Sequence, residues 1–173
     1  MTRTLALVPL LLTVIGVACT SPASTDPAPS TTAAPAPAPT APVVHDGRAI
    51  EITGNDTMKF SVTEITASPG EKLSVTLVNI GTTPKFSMGH NWVLVAAGVD
   101  IQPFLVASAE AVTTDYVPTA TKQDQILAAT RLLGPKERDT VTFTAPTTPG
   151  RYEFLCSFPG HYQVGMRGVL IVQ

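Results

Sequence analysis

From Asp46 to the end of the chain, short segments of alternating apolar and polar residues follow one another, and turns such as Pro69-Gly70 and Pro149-Gly150 separate them. Alternation with a period of two is typical of strands that bury one face, and regularly spaced short strands are typical of β-sandwiches. We therefore predict one all-β domain over residues 46–173, a Greek-key β-sandwich of about seven or eight strands. The predicted strands are 49–53, 59–62, 72–78, 91–95, 125–129, 139–144, 151–155 and 168–172.

Residues 98–122 interrupt this pattern. Within them, residues 102–112 lack alternation and can form two or three helical turns after Pro103. We predict a short helical flap there, packed against the outside of the sandwich.

The N-terminus has the pattern of an export signal. Arg3 precedes an apolar run that ends at Ala18, which is typical of a secretory signal peptide and too short for a stable membrane span. We predict that residues 1–18 are this signal. The sequence Gly16-Val17-Ala18-Cys19 resembles a bacterial lipoprotein signal, in which Cys19 becomes the lipidated first residue of the mature chain. The alternative is ordinary signal cleavage after Ala18, which leaves Cys19 incidental.

Residues 19–45 have a composition that cannot bury a core. They contain seven prolines between Pro22 and Pro42, many Ala, Ser and Thr residues, and one charge, Asp26. Such segments favour extended polyproline II, and at about 3.1 Å per residue some 25 residues span on the order of 75 Å. We predict a disordered tether that lets a membrane-anchored domain reach its partners. The alternative is a stub that remains after secretion.

Charge and cysteine content exclude two further possibilities. The net charge is -2 and only 14% of residues are charged, so no basic surface is present to bind nucleic acid. The two cysteines, Cys19 and Cys156, lie in segments of very different character, and we expect no disulfide between them. The domain must rest on its hydrophobic core.

The segment 156–166 carries the chemistry. It places a thiol, an imidazole and a thioether on one loop between two predicted strands, in the side chains of Cys156, His161 and Met166. Thiolate and thioether ligands select soft metals, and two imidazoles and a thiolate with a weak axial Met form an electron-transfer copper site. The loop therefore supplies three of four ligands for copper.

A second histidine must complete this set. Of the three histidines, His45 stands at the end of the tether, where we expect a loose surface residue, whereas His90 begins a strongly apolar strand. Taken singly, His90 is most often an ordinary polar residue at a strand edge, and Cys156 a buried, inert thiol. Together with the loop, they predict a copper site that includes His90.

Several segments of the domain resemble azurin, and together they are highly specific; they are 54–60, 88–94, 136–143 and 156–161. On these residues the domain is identified as a member of the azurin/plastocyanin-type blue (type 1) copper proteins, over about 49–172. The resemblance implies a cupredoxin-like fold and one copper ion held by His90, Cys156, His161 and, axially, Met166. It also implies a weak axial carbonyl contact from Gly89, and hydrogen bonds to the cysteine sulfur from Asn91 and Phe158.

The sequence departs from azurin in two respects. Four residues separate His161 from Met166, where azurins have three, and the azurin disulfide is absent. This combination is similar to auracyanin, an azurin-like and often membrane-associated blue copper protein. The extra residue bears on the distance of the axial methionine and on the contact from Gly89.

The resemblance implies a one-electron carrier outside the cytoplasm, with protein redox partners that dock transiently. The segment 154–166 holds no charged residue, and we predict an apolar partner surface around His161, formed by Met88, Phe158, Pro159, Tyr162 and Val164. We expect membrane attachment through the lipid anchor, and neither nucleic acid nor a small-molecule substrate as partner.

The sequence also bears on other functions. A copper delivery or storage protein with the same fold remains the alternative. A redox enzyme is disfavoured because multicopper enzymes need more histidines than the three present, and a binuclear copper site needs a second cysteine in the loop. A Cys/His hydrolase lacks an evident orienting acid. We therefore predict that the protein is not an enzyme.

Overall fold

The computed structural model of the chain describes residues 46–173. The predicted signal peptide (1–18), the lipidation site Cys19, the tether (19–45) and His45 lie outside these residues. Nowhere in 46–173 does a helix combine the length and apolar character needed to cross a membrane.

Eight strands form two sheets, as predicted. In chain order they are β1 (Arg48–Gly54), β2 (Glu64–Ala67), β3 (Lys72–Asn79), β4 (Val93–Val95), β5 (Ile126–Ala129), β6 (Arg138–Thr144), β7 (Gly150–Leu155) and β8 (Arg167–Val172). One sheet has the order β1-β3-β6 and the other the order β2-β8-β7-β4-β5. The pairs β1·β3 and β2·β8 are parallel and the remaining pairs are antiparallel. This confirms the predicted Greek-key β-sandwich.

The core lies between the sheets and follows the alternation of the strands. On β3, Leu73, Val75 and Leu77 are fully buried, and full burial of such a side chain stabilises the fold by about 1.5–3 kcal/mol. The ring of Trp92 packs against that of Phe154 at 5.5 Å. This packing places the apolar core directly below the segment that contains His90.

The prediction of a strand at residues 59–62 is wrong. Met58 has a φ of 55°, and this left-handed conformation turns the chain so that Phe60 forms only an isolated bridge back to Gly54. The strand begins later, at Glu64, and runs to Ala67. Residues 55–59 therefore form a loop, and that loop contacts the metal centre described below.

The helical flap is present between β4 and β5. A short helix, α1 (Lys85–Met88), precedes β4, and the flap itself consists of α2 (Ile101–Glu110) and α3 (Thr119–Lys122), with 3₁₀ turns at Val112–Thr114 and Gln123–Gln125. Asp100 caps α2 by accepting a hydrogen bond from the amide of Gln102 at 3.2 Å, and Pro103 fits within the first turn. Phe104 of α2 is fully buried in a second cluster, with Val93, Val95 and Leu155. The flap thus covers the outer face of β4 and β7.

Candidate metal centre

His90 lies between α1 and β4 and is fixed by backbone and side-chain hydrogen bonds. Its amide donates to the carbonyl of Leu133 at 3.0 Å, and the Leu133 amide donates back at 2.7 Å. The imidazole is fully buried, and its Nε2 lies 3.0 Å from the carbonyl oxygen of Asn55. Because a carbonyl only accepts, Nε2 carries the proton and Nδ1 presents a lone pair.

The segment 156–166 forms a closed loop between β7 and β8. The amide of Cys156 donates to the carbonyl of Met166 at 3.0 Å, which closes the base of the loop. Inside it, the Met166 amide donates to the carbonyl of His161 at 3.0 Å, and the His161 amide donates to that of Phe158 at 3.1 Å. These bonds hold the thiol, imidazole and thioether on one side of the loop.

The donor atoms of His90, Cys156 and His161 all lie within 4.8 Å of one another. The Nδ1 atom of His161 lies 3.2 Å from that of His90 and 3.4 Å from the sulfur of Cys156. The exposed fractions of the three residues are 0%, 0% and 2%. The predicted triad is therefore assembled in the structure, and all three residues are buried.

Met166 completes this arrangement and is also fully buried. It packs over Gly54, where an added Cβ would lie 2.8 Å from Met166 Cε and 3.2 Å from His90 Cδ2. A larger residue at this position would displace the Met166 methyl group and crowd the His90 ring. Two imidazole nitrogens, a thiol and a thioether suit copper, and this set discriminates against hard cations. The residues present fit the predicted metal.

Burial controls the protonation of the triad. It lowers the pKa of His90 and lowers that of His161 to about 4, to which the neighbouring His90 also contributes. It raises the pKa of the Cys156 thiol to about 12, against the hydrogen bonds from the amides of Asn91 and Phe158 to its sulfur. Near pH 7 both imidazoles are neutral and can bind a metal, whereas the thiol must lose its proton to do so.

Asn91 connects the ligand-bearing segments to the flap. Its side-chain oxygen accepts from the amide of Ser157, and its NH₂ group donates to the hydroxyl of Ser157 and to the carbonyl of Asp115, each at 2.8 Å. The hydroxyl of Ser157 in turn donates to the carbonyl of Tyr116 at 2.6 Å. Ser157 follows Cys156 directly and the Asn91 amide donates to the Cys156 sulfur, so the network helps to fix the position of the sulfur.

Aromatic packing supports the second imidazole. The rings of Phe158 and His161 lie 4.7 Å apart, and Tyr116 of the flap meets Phe158 edge-on at 4.9 Å. Phe158 is only 9% exposed, so it belongs to the core more than to the predicted partner surface.

The remaining residues of that surface differ in exposure. Pro159 and Val164 are exposed, whereas Met88 and Tyr162 are half-buried. The Tyr162 ring lies under the guanidinium of Arg167, 4.7 Å from its centroid. Gly89, between α1 and His90, is buried.

Sequence reasoning missed three contributors to this region. The Asn55 contact is made by a backbone carbonyl, which no residue pattern reveals, and the alternation that includes Lys59 predicts a strand. Phe86 on α1 is 84% exposed. The sequence does point to Phe86 as a surface residue near the site. It is a single aromatic residue in the otherwise polar segment 82–87, four residues before His90.

Comparison with known proteins places this geometry in a family. Residues 48–173 match the family model described as copper binding proteins, plastocyanin/azurin family. The chain is 37% identical to azurin of Pseudomonas denitrificans over 128 residues, which cover 72% of this chain and 97% of that azurin.

Two further relatives are informative. The crystal structure of sodium-dithionite-reduced auracyanin from the photosynthetic bacterium Roseiflexus castenholzii is 36% identical, with a TM-score of 0.61, and covers 72% of this chain and 96% of that one. Outer membrane protein H.8 of Neisseria gonorrhoeae is 37% identical over 117 residues, which cover 65% of this chain and 61% of that protein.

Proposed function

Because this chain belongs to the plastocyanin/azurin family of copper-binding proteins, we propose that it is a one-electron carrier between protein partners. It is an azurin-like blue copper protein, similar to auracyanin, and its cofactor is one type 1 copper ion. The observation that carries the proposal is the buried triad of His90, Cys156 and His161, with donor atoms within 4.8 Å of one another.

The four ligands in this proposal are the Nδ1 atoms of both histidines, the Cys156 sulfur and the Met166 thioether. Gly89 is proposed to add a weak axial carbonyl contact. Bound copper supplies a one-electron couple between Cu(I) and Cu(II), to which the ligand set is suited in both states. The set uses every donor of the site, which leaves no position for a substrate, and the protein is accordingly proposed not to be an enzyme.

The surrounding residues hold this set still. The Asn55 carbonyl fixes the His90 ring, and the amides of Asn91 and Phe158 donate to the Cys156 sulfur. Rings that cannot rotate and a sulfur with fixed hydrogen bonds change little between oxidation states, which keeps the reorganisation energy of electron transfer small.

Electrons are proposed to pass through the side of the molecule that carries His161. The surface residues assigned to transient docking are Met88, Pro159, Tyr162 and Val164, to which we add Phe86. Val164 is 46% exposed and Phe86 is 84% exposed, and an uncharged loop with exposed apolar side chains suits a small, short-lived interface.

Copper delivery or storage is the alternative function of the same fold. The burial of all three triad residues argues against it, because a buried ion is released slowly. Electron self-exchange and the copper off-rate separate the two functions: slow exchange with readily released copper would favour delivery.

The protein is proposed to be exported and held at a bacterial membrane through Cys19, with residues 1–18 as the signal and 19–45 as the tether. The similarity to a protein named outer membrane protein H.8 supports attachment of a related domain to a membrane. Replacing Cys19 with Ala should release the protein from the membrane fraction, and retention of the Cys19→Ala variant would refute the anchor.

The central experiment is addition of Cu(II) to the metal-free full chain. An intense visible thiolate-to-copper band should form with one equivalent of copper and should be lost in Cys156→Ser. A folded wild-type chain without this band would refute the blue copper assignment.

A further inference from the structure

The loop between β1 and β2 contacts both ligand-bearing segments of the metal centre. Near its start, the Asn55 carbonyl accepts from Nε2 of His90 at 3.0 Å. Four residues later, the ammonium group of Lys59 donates to the carbonyl oxygen of Val164. One side of the centre is thus fixed by a backbone atom of this loop, and the other side is contacted by a charged side chain.

This loop is itself well braced. The carboxylate of Asp56 accepts from the amide and hydroxyl of Thr82, both at 2.9 Å. The amide of Met58 donates to the Asn55 carbonyl at 2.9 Å, and Phe60 bridges back to Gly54. The backbone that carries Lys59 is therefore held at several points, and its side chain extends from a fixed base.

The target of Lys59 lies directly before the axial ligand. Val164 and Gly165 immediately precede Met166 in the four-residue segment that separates it from His161. Gly165 has a φ of +97°, and a Cβ there would lie 2.7 Å from Lys59 Nζ. In the described part of the chain, no backbone amide donates to the Val164 carbonyl. Lys59 is the group that satisfies it.

We propose that Lys59 is a positioning residue for the axial ligand, and this inference rests on the proposed copper function. Its ammonium group holds the Val164–Gly165 peptide and so fixes the backbone from which the Met166 thioether extends. Its positive charge also lies beside the site, where it favours the oxidation state with the lower charge, Cu(I). Lys59 therefore has a structural effect and an electrostatic effect that different substitutions can separate.

Two variants of the full chain separate these effects. Lys59→Gln removes the charge but keeps an N–H donor, whereas Lys59→Met removes both. Lys122→Met, on α3 of the flap, is the matched control for loss of a lysine charge elsewhere.

In the metal-free protein, hydrogen–deuterium exchange of the segment 162–166 should become about three- to tenfold faster in Lys59→Met, as expected for loss of one hydrogen bond. It should stay near the wild-type rate in Lys59→Gln and in Lys122→Met. Exchange of the β3 amides reports global unfolding and should be the same in all four proteins. Faster exchange of β3 in a variant would show a general loss of stability.

In the copper-loaded protein, both Lys59 variants should shift the reduction potential to lower values. Only Lys59→Met should also change the relative intensities of the visible bands, which report the axial interaction. The positioning role is overturned when Lys59→Met exchanges like the wild type, or when both Lys59 variants behave identically in exchange and spectrum. A wild-type chain that forms no visible copper band refutes the proposed function, while the metal-free exchange still decides the role of Lys59.

Discussion

His90 and His161 turn their Nδ1 atoms toward each other across 3.2 Å, and both residues are buried. With the proton of His90 on Nε2, facing the Asn55 carbonyl, its Nδ1 is a bare lone pair at that contact. Two imidazoles in this arrangement resist protonation, because a charge on one is buried and faces the other. The pKa of each ring is therefore lowered in the folded chain, that of His161 to about 4.

The metal-free protein should accordingly lose stability as the pH falls from 6.5 to 4. Histidine in the unfolded chain titrates near 6.5, whereas the pKa of folded His161 is about 4, so the unfolded state binds more protons in this window. The loss from His161 is about 3 kcal/mol, and His90 adds to it in the same direction. Urea unfolding of the metal-free chain at several pH values measures this slope.

A copper-loaded sample should show a much shallower slope over the same window, because the metal occupies the nitrogen lone pairs. A metal-free protein whose free energy of unfolding is constant between pH 6.5 and 5 would contradict this prediction. The acidic groups whose pKa is lowered, such as Asp56 and Glu71, add to the loss mainly below about pH 5, so the slope between pH 6.5 and 5 reports the histidines.

Copper binding near pH 7 should release one proton per ion. Both imidazoles are already neutral, whereas burial raises the pKa of the Cys156 thiol to about 12, so the thiol proton is the one that leaves. Calorimetric titration in buffers of different ionisation enthalpy gives the number directly. Release should fall to near zero in Cys156→Ser, and release of two or more protons would mean that a histidine is charged in the metal-free site.

Replacement of Met166 by Leu should keep the visible band and raise the reduction potential. The thioether donates electron density that favours the more electron-poor Cu(II), and its removal favours Cu(I). Because Met166 is fully buried and the swap conserves volume, the free energy of unfolding should change by less than about 1.5 kcal/mol. Voltammetry and chemical unfolding test the two parts separately, and loss of the band would show that Met166 has a larger role than tuning.

Replacement of Asn91 by Ala should destabilise the protein and broaden the visible band. The change leaves the buried Ser157 amide without its partner, which costs about 1–3 kcal/mol, and frees the Asp115 carbonyl of the flap. Ser74→Ala is the matched control, since it removes the hydroxyl pair with Thr142 on the other sheet. The control should lower stability without a spectral change. An unaltered spectrum in Asn91→Ala would refute the claim that Asn91 fixes the position of the Cys156 sulfur.

Replacement of Phe86 by Ala should slow electron exchange while stability stays constant. The side chain is 84% exposed, so its removal costs little burial energy but reduces the apolar docking surface. Leu127, 39% exposed on β5, is the control, because it lies toward the end of that strand remote from His90. Electron self-exchange rates from line broadening provide the measurement. Equal rates in Phe86→Ala and wild type would show that Phe86 does not belong to the docking surface.

The fold and the triad were predictable because their causes are local. Alternation fixed the strands, and the turns Pro69-Gly70 and Pro149-Gly150 separated them. The uninterrupted apolar character of β4 identified a buried strand after His90. The set of a thiol, an imidazole and a thioether on one loop has few uses other than a soft metal.

The details that were missed depend on single dihedral angles and backbone atoms. The alternation in residues 59–62 predicts a strand, but Met58 has a left-handed conformation and these residues belong to a loop. The same loop carries the Lys59 side chain that contacts the Val164 carbonyl and the Asn55 carbonyl that contacts His90. No hydrophobic pattern encodes these contacts, since they arise from the way in which distant segments meet.

The direction of β1 determines at which end of the sandwich the polypeptide enters the domain. The strand enters at Arg48 and ends at Gly54 beside Met166 and His90, so its two ends are about 20 Å apart at 3.3 Å per residue. The polypeptide therefore enters the domain at the end of β1 that is remote from Gly54, Met166 and His90. An anchor that reaches the domain through this end, as proposed for Cys19, does not compete with docking partners for the surface around His161.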